Sequence, residues 1–166
     1  MKLWFKNKFF LVNYGRFKMY KNILIPTDGS ALSFSSGLKG IRFARSIKAK
    51  VIIMTVSPTH KKMMVEGFFV PEPSVNKTKW KEIAESRMQK ILSHLANEAQ
   101  ALGVQCETKH VFDDRAYNGI LKVAKSEKCD LIAIGSHGYG ALKQLVMGSQ
   151  TMQVLSQSKI PVLVYR

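Results

Sequence analysis

Three short apolar runs constrain this chain more than any other feature: Asn22-Ile-Leu-Ile-Pro-Thr27, Val51-Ile-Ile-Met-Thr-Val56 and Leu131-Ile-Ala-Ile134, the last within a strand expected from Cys129. None alternates polar with apolar residues, so none suits a strand with one face in water. Strands of this kind belong to parallel sheets covered by helices on both sides. The segments between them carry the period such helices need. Phe34, Leu38, Ile41, Ala44 and Ile47 recur at helical spacing between Ser30 and Lys48, where Gly37 and Gly40 lower helix propensity but allow close packing on the sheet. Trp80, Ile83, Ala84, Met88, Ile91, Leu95, Ala99 and Leu102 define the longest amphipathic helix, a core stripe that stops at Gly103. Val104 to Phe112 alternates as an edge strand does, and Asp113 or Asp114 caps a helix carrying Ala116, Ile120, Leu121 and Ala124. Thr59 to Lys77 has no regular period and reads as a long loop over the sheet edge. A helix over Gln150 to Gln157 and a strand over Ile160 to Tyr165 complete the order β-α-β-α-β-α-β-α-β, with right-handed crossovers. The expected fold is α/β, a five-stranded doubly wound parallel sheet, Rossmann-like, with helices on both faces.

Function concentrates after the run ending at Ile134. Gly135, Gly138 and Gly148 mark a turn at the carboxyl end of a strand, and Ser149 offers a hydroxyl where the next helix begins. Amides pointing out of such a turn, reinforced by the positive end of a helix, hold phosphate without a lysine. Two familiar phosphate motifs are excluded. Gly135 to Gly140 has Walker spacing, but Ala141 and Leu142 stand where that motif needs a lysine and a hydroxyl. The dinucleotide fingerprint fails because Lys143 occupies its third glycine position.

The spacing G-x2-G-x9-G-S from Gly135 through Ser149 resembles the universal stress protein family, in whose ATP-binding members this pattern is the phosphate and ribose loop. Asn22-Ile-Leu-Ile-Pro-Thr-Asp-Gly-Ser30 resembles the family's first strand with its acidic end, and Ile160-Pro-Val-Leu-Val-Tyr165 its last strand. The resemblance covers roughly Tyr20 to Arg166 and implies the strand order 3-2-1-4-5. It also implies a nucleotide site drawn from Pro26, Thr27, Asp28, Val56, Gly135, Ser136, His137, Gly138, Gly148, Ser149 and Gln150, with ATP and magnesium as ligand. Val56 would lie beside the adenine. On spacing alone Asp28 serves a ribose hydroxyl or a phosphate-bound metal, or else caps the helix after Ser30; the resemblance favours the ligand. Two departures stand out: Tyr139 replaces the basic residue common after Gly138, and Gln150 replaces a small apolar one after Ser149. The implied protein is a cytoplasmic, nucleotide-responsive regulatory homodimer paired through Ile160–Tyr165. A stress-protein dimer that binds no nucleotide and a slow ATP hydrolase are the alternatives.

Enzymatic readings fare worse. Asp28, His137 and Ser149 supply the residue types of a hydrolytic triad, but there is no G-x-S-x-G elbow and Ser149 is needed at the phosphates. At most slow ATP hydrolysis is expected. Cys106 and Cys129 are too few for a disulfide framework and form no C-x-x-C pair, so both are expected as buried, reduced thiols. The four histidines are dispersed, which argues against zinc.

A net charge of +15 raises the question of an anionic partner. Lysines and arginines are spread over the presumed helices without interleaved aromatics, so specific nucleic-acid binding is not expected. Residues 1–18 form a separate extension before a domain spanning 19–166. They carry Lys2, Lys6, Lys8, Arg16 and Lys18 around Trp4, Phe5, Phe9, Phe10 and Tyr14, with no acidic residue. The apolar run Phe9 to Val12 is far too short to span a bilayer, and no small-residue cleavage site follows it. A plain extension, or a start codon placed too early, is favoured over a weak surface anchor, and a membrane partner is not expected.

Overall fold

The computed structural model describes residues 20–59, 63–65, 68–70, 77–136 and 147–166. Among the described residues the elements are β1 (Asn22–Pro26), α1 (Ala31–Ser46), β2 (Lys50–Ser57), β3 (Met63–Val65), β4 (Phe68–Val70), α2 (Lys77–Ala101), β5 (Cys106–Phe112), α3 (Ala116–Ser126), β6 (Leu131–Gly135), α4 (Ser149–Gln157) and β7 (Val162–Tyr165). Five strands form one parallel sheet in the order β5-β2-β1-β6-β7. Counted within that sheet alone, the order is 3-2-1-4-5, as the resemblance implies. β3 and β4 correct the long-loop expectation, since they pair antiparallel as a separate two-stranded sheet. Three-residue strands are too short to show a period of two, so the apolar triplets around Glu66-Gly67 gave no periodic signal.

The apolar runs are buried as their composition requires. β1 and β6 are buried along their whole length and β2 along most of its own, with Ile23, Leu24, Ile52, Ile53 and Ile132 all 0% exposed. Their alternating side chains feed two cores. Ile23, Ile25, Val51, Ile53 and Ala133 meet α1 and α2 through Ile41, Ala44, Leu92, Leu95 and Ala99. Leu24, Ile52, Met54, Ile132 and Ile134 meet α3 and α4 through Ile120, Val123, Ala124 and Val154. The sheet is therefore covered on both faces. One member of the expected stripe departs from it: Ile83 is 47% exposed, whereas Ala84, Leu92, Leu95 and Ala99 carry the buried face of α2.

Helix ends follow local chemistry. Ser30 caps α1, its hydroxyl accepting from the Ser33 amide at 3.2 Å. The cap of α3 differs from expectation: Arg115 occupies the position without a side-chain bond, while Asp113 accepts from the Arg115 amide, Asn118 and Lys122. Asp114 bonds Thr59 instead, receiving both its amide and its hydroxyl. At the opposite end of the sheet, the Asp130 carboxylate takes the amides of Lys21 and Asn22 at 2.9 and 3.0 Å. That pair fixes the start of β1 against β6.

Candidate functional site

Sheet order alone places a crevice between β1 and β6, because the chain winds outward in opposite directions from that pair. The hydrogen bonds show how it opens. β1 matches β2 over five residues and β6 matches β7 over four, but the ladder between β1 and β6 spans only Ile23↔Leu131 and Leu24↔Ile132. In a parallel strand alternate residues aim their amide and carbonyl to opposite sides. Asn22 exchanges bonds with Asp130, so the even residues of β1 face β6. The next even donors would be Leu24 and residue 26, and residue 26 is a proline without an N–H. The ladder has no donor there. One residue later the Thr27 amide turns to Met54 on β2 at 2.8 Å, and the Ser136 amide turns to Tyr165 on β7 at 2.7 Å. Each central strand ends bonded to its outer neighbour.

The residues expected at the site flank this gap. Pro26 and Thr27 close β1 and are buried, with the Thr27 hydroxyl engaged by Ser33 Oγ at 3.0 Å and by the Gly29 amide at 3.2 Å. Asp28 follows on the surface, one carboxylate oxygen accepting from the Ser30 amide at 3.0 Å. Gly29 has φ +80°, a conformation open to glycine, and directs the chain from β1 into α1. Across the gap, Gly135 ends β6 and Ser136 is 4% exposed. Val56 lies near the carboxyl end of β2, where a Cβ on Gly119 would come within 3.0 Å of it, so α3 approaches closely at this point. His137 and Gly138 lie outside the described residues.

The described ends of the glycine stretch are tied together. The Gly148 amide donates to the Ser136 carbonyl at 2.8 Å, and the buried Thr151 hydroxyl donates to the Gly135 carbonyl at 2.9 Å. Gly148 is the cap residue of α4 and makes no side-chain cap bond, so Ser149 is the first helical residue and not the cap. Both Ser149 and Gln150 are exposed. This puts the positive end of a nine-residue helix beside the gap, the polarity that favours an anion. Gln150 has a second engagement: its side-chain oxygen accepts from the Tyr117 amide at 3.0 Å, capping α3 from α4. Thr151 and the Gln150 cap were missed in the sequence. Thr151 had a readable signal, a hydroxyl two residues after Ser149 on the helix face that packs inward.

A polar pair stands beyond Val56. His110 Nε2 lies 2.9 Å from Ser57 Oγ, with the Phe112 ring 4.6 Å away. Burial lowers the His110 pKa, opposed in part by Glu85. The cysteines differ from expectation in one respect: both are free, but only Cys129 is buried while Cys106 is half-buried. Burial, then neighbouring carboxylates, pushes both thiols up to about 11, leaving them protonated at neutral pH. Among the described residues no group of three metal-ligating side chains occurs.

The fold and gap define a doubly wound α/β protein with an anion-compatible switch point. The chain belongs to the universal stress protein family, whose sequence model matches residues 19–166. Universal stress protein MJ0531 of Methanocaldococcus jannaschii is 30% identical over 154 residues, covering 89% of this chain and 83% of the relative. The solved structure of MJ0577, from the same organism, superposes with a TM-score of 0.73 at 28% identity, over 88% of this chain and 95% of that one. The universal stress protein of Archaeoglobus fulgidus solved in complex with dAMP shares the fold at 17% identity and TM-score 0.62, over 89% and 99%.

Proposed function

We propose that this universal stress protein binds ATP with magnesium in the gap between β1 and β6 and acts as a nucleotide-responsive regulatory homodimer in the cytoplasmic stress response. The observation that carries the reading is the divergence of those two strands at Pro26, with Asp28 on one side and the tied stem of Gly135, Ser136, Gly148 and Thr151 on the other. A family structure solved with dAMP supports an adenine nucleotide. Phosphates would meet the amides of the glycine stretch and the start of α4, through Gly138, Gly148 and Ser149. Asp28 would take the ribose or the magnesium, and Val56 the base. Magnesium would supply charge neutralisation at the phosphates. Because the glycine stretch lacks the lysine and hydroxyl of a Walker loop, turnover is expected far below the roughly 10 per second of a typical enzyme, so ATP serves as a state marker.

Melting with and without magnesium-ATP tests this, because a ligand bound only to the folded state must stabilise it. The wild-type chain is expected to shift at millimolar ATP, Gly138→Val to lose the shift, and Ser149→Ala to lose about 1 kcal/mol or more of binding. No wild-type shift, or an equal shift in Gly138→Val, sinks the assignment. The folded unit is residues 19–166, so a chain starting at Met19 should melt cooperatively at the same temperature. Loss of that transition would make the preceding residues structural.

A further inference from the structure

The excess positive charge is less evenly spread than the sequence suggests. α1 has no acidic residue, and its buried face consists of Ser33, Gly37, Gly40, Ile41 and Ala44. The opposite face presents Lys39, Arg42 and Arg45, all exposed, and Lys48 follows in the closing turn. Arg42, Arg45 and Lys48 form no ion pair with a described residue. Three basic residues elsewhere are offset, Lys50 with Glu107, Lys109 with Glu127 and Lys122 with Asp113. α2, which covers the same side of the sheet, mixes signs, with Glu82, Glu85 and Glu98 among its basic residues. Lys39 reaches the main-chain oxygen of Arg166 at 2.5 Å, which draws the end of β7 to the same surface. Leu32, in the first turn of α1, adds an apolar side chain that is 59% exposed.

We propose that this face of α1 docks on an anionic phospholipid surface. The reading stands apart from the nucleotide site and does not depend on it. Charge complementarity asks for an anion extended enough to meet several cations along a helix, and two observations favour lipid over nucleic acid. The exposed face of α1 offers no aromatic ring for base stacking, whereas it does offer Leu32. The chain also enters the fold near the carboxyl end of α1, where the Lys50 amide donates to the Lys21 carbonyl two residues after the turn at Lys48. The residues leading to that point hold five basic and six aromatic side chains and no acid among the first 18, a composition that suits the headgroup region of a bilayer. A span is not required, because attraction of a basic patch to anionic headgroups operates at the surface.

The test is co-sedimentation of the full chain with phosphatidylcholine vesicles, with and without phosphatidylglycerol, at low and high salt. Binding is expected only with phosphatidylglycerol and should fade with salt. R42E/R45E should bind at least about tenfold more weakly, given the worth of each basic residue near such a surface. The charge-matched K125E/K128E, at the end of α3 on the other side of the sheet, should bind as wild type does. Arg42→Gln with Arg45→Gln gives a milder second variant, and unchanged melting of each shows that the fold is kept. Equal binding to neutral vesicles, full binding by R42E/R45E, or equal loss in K125E/K128E overturns the proposal. So does salt-sensitive retention of a DNA or RNA oligonucleotide with no retention of vesicles.

Discussion

His110 shows how one half-buried ring can couple stability to pH. Its ring is half-buried between Ser57 and Phe112, and burial lowers its pKa from the ordinary imidazole value, with Glu85 pulling the other way. A lowered folded-state pKa means that the unfolded chain binds the proton more readily. The stability is therefore complete above the unfolded value, near pH 6.5, and is lost as pH falls through the folded one. Melting temperature should drop between pH 7.5 and 5.5, and the drop should be smaller in His110→Gln. An equal drop in both would assign the pH response elsewhere. Asp113 acts in a lower window: hydrogen bonds and charge from Lys122, then the Arg115 amide, hold its pKa down, so its contribution fades only as pH falls below the usual carboxylate range.

Among the elements, α1 is where small residues set the packing. Gly37 faces α2, where a Cβ would fall 2.8 Å from one Leu95 methyl carbon and 3.0 Å from the other, and Leu95 is 1% exposed with little room to yield. Gly40 faces the sheet instead, with Ile25 at 3.1 Å and Ala133 at 3.5 Å. Replacing a mid-helix glycine by alanine gains about 1 kcal/mol of propensity, and overpacking costs about 1–3 kcal/mol. Gly37→Ala should thus destabilise by about 1–2 kcal/mol in denaturant melts, while Gly40→Ala should lie within about 0.5 kcal/mol of wild type. A more stable Gly37→Ala would mean that α1 and α2 separate readily. Close packing at these glycines was legible, but not that one serves a helix and the other a strand. The limit is general: periodicity reports which residues turn inward, not what they meet. It also placed Ile83 inside, since a side chain at the right phase still needs a neighbour to cover it. The hairpin of β3 and β4 escaped for want of length. Gln150 read as a departure from the family pattern, and only the fold shows its amide oxygen capping α3 across 33 residues.

For the whole molecule, burial on both faces announced a parallel sheet, but the order of its strands came from family resemblance because no local signal encodes which neighbours pair. That order leaves two edges of unlike chemistry. β5 carries Glu107 and Lys109, each in a salt bridge, and such charges discourage pairing with another chain. β7 is Val-Leu-Val-Tyr, half-buried throughout and without a charge. Its free side can be identified. The carbonyls of Pro161 and Tyr165 accept from Ile132 and Ser136, so the odd residues face β6 and the groups of Val162 and Val164 point outward. Pairing of two such edges about a two-fold axis, antiparallel and self-complementary, would satisfy them. We therefore expect a dimer in light scattering at micromolar concentration. Val164→Pro removes an outward amide without touching the bonds to β6, so it should yield a folded monomer with near-native melting. A wild-type monomer, or a Val164→Pro variant that stays dimeric, would exclude this edge as the interface. If the prediction holds, the Ser136 amide on the Tyr165 carbonyl links the dimer strand directly to the stem of the glycine stretch, 2.7 Å from one to the other. ATP should then tighten the dimer and dimerisation should tighten ATP by the same factor, as linkage requires.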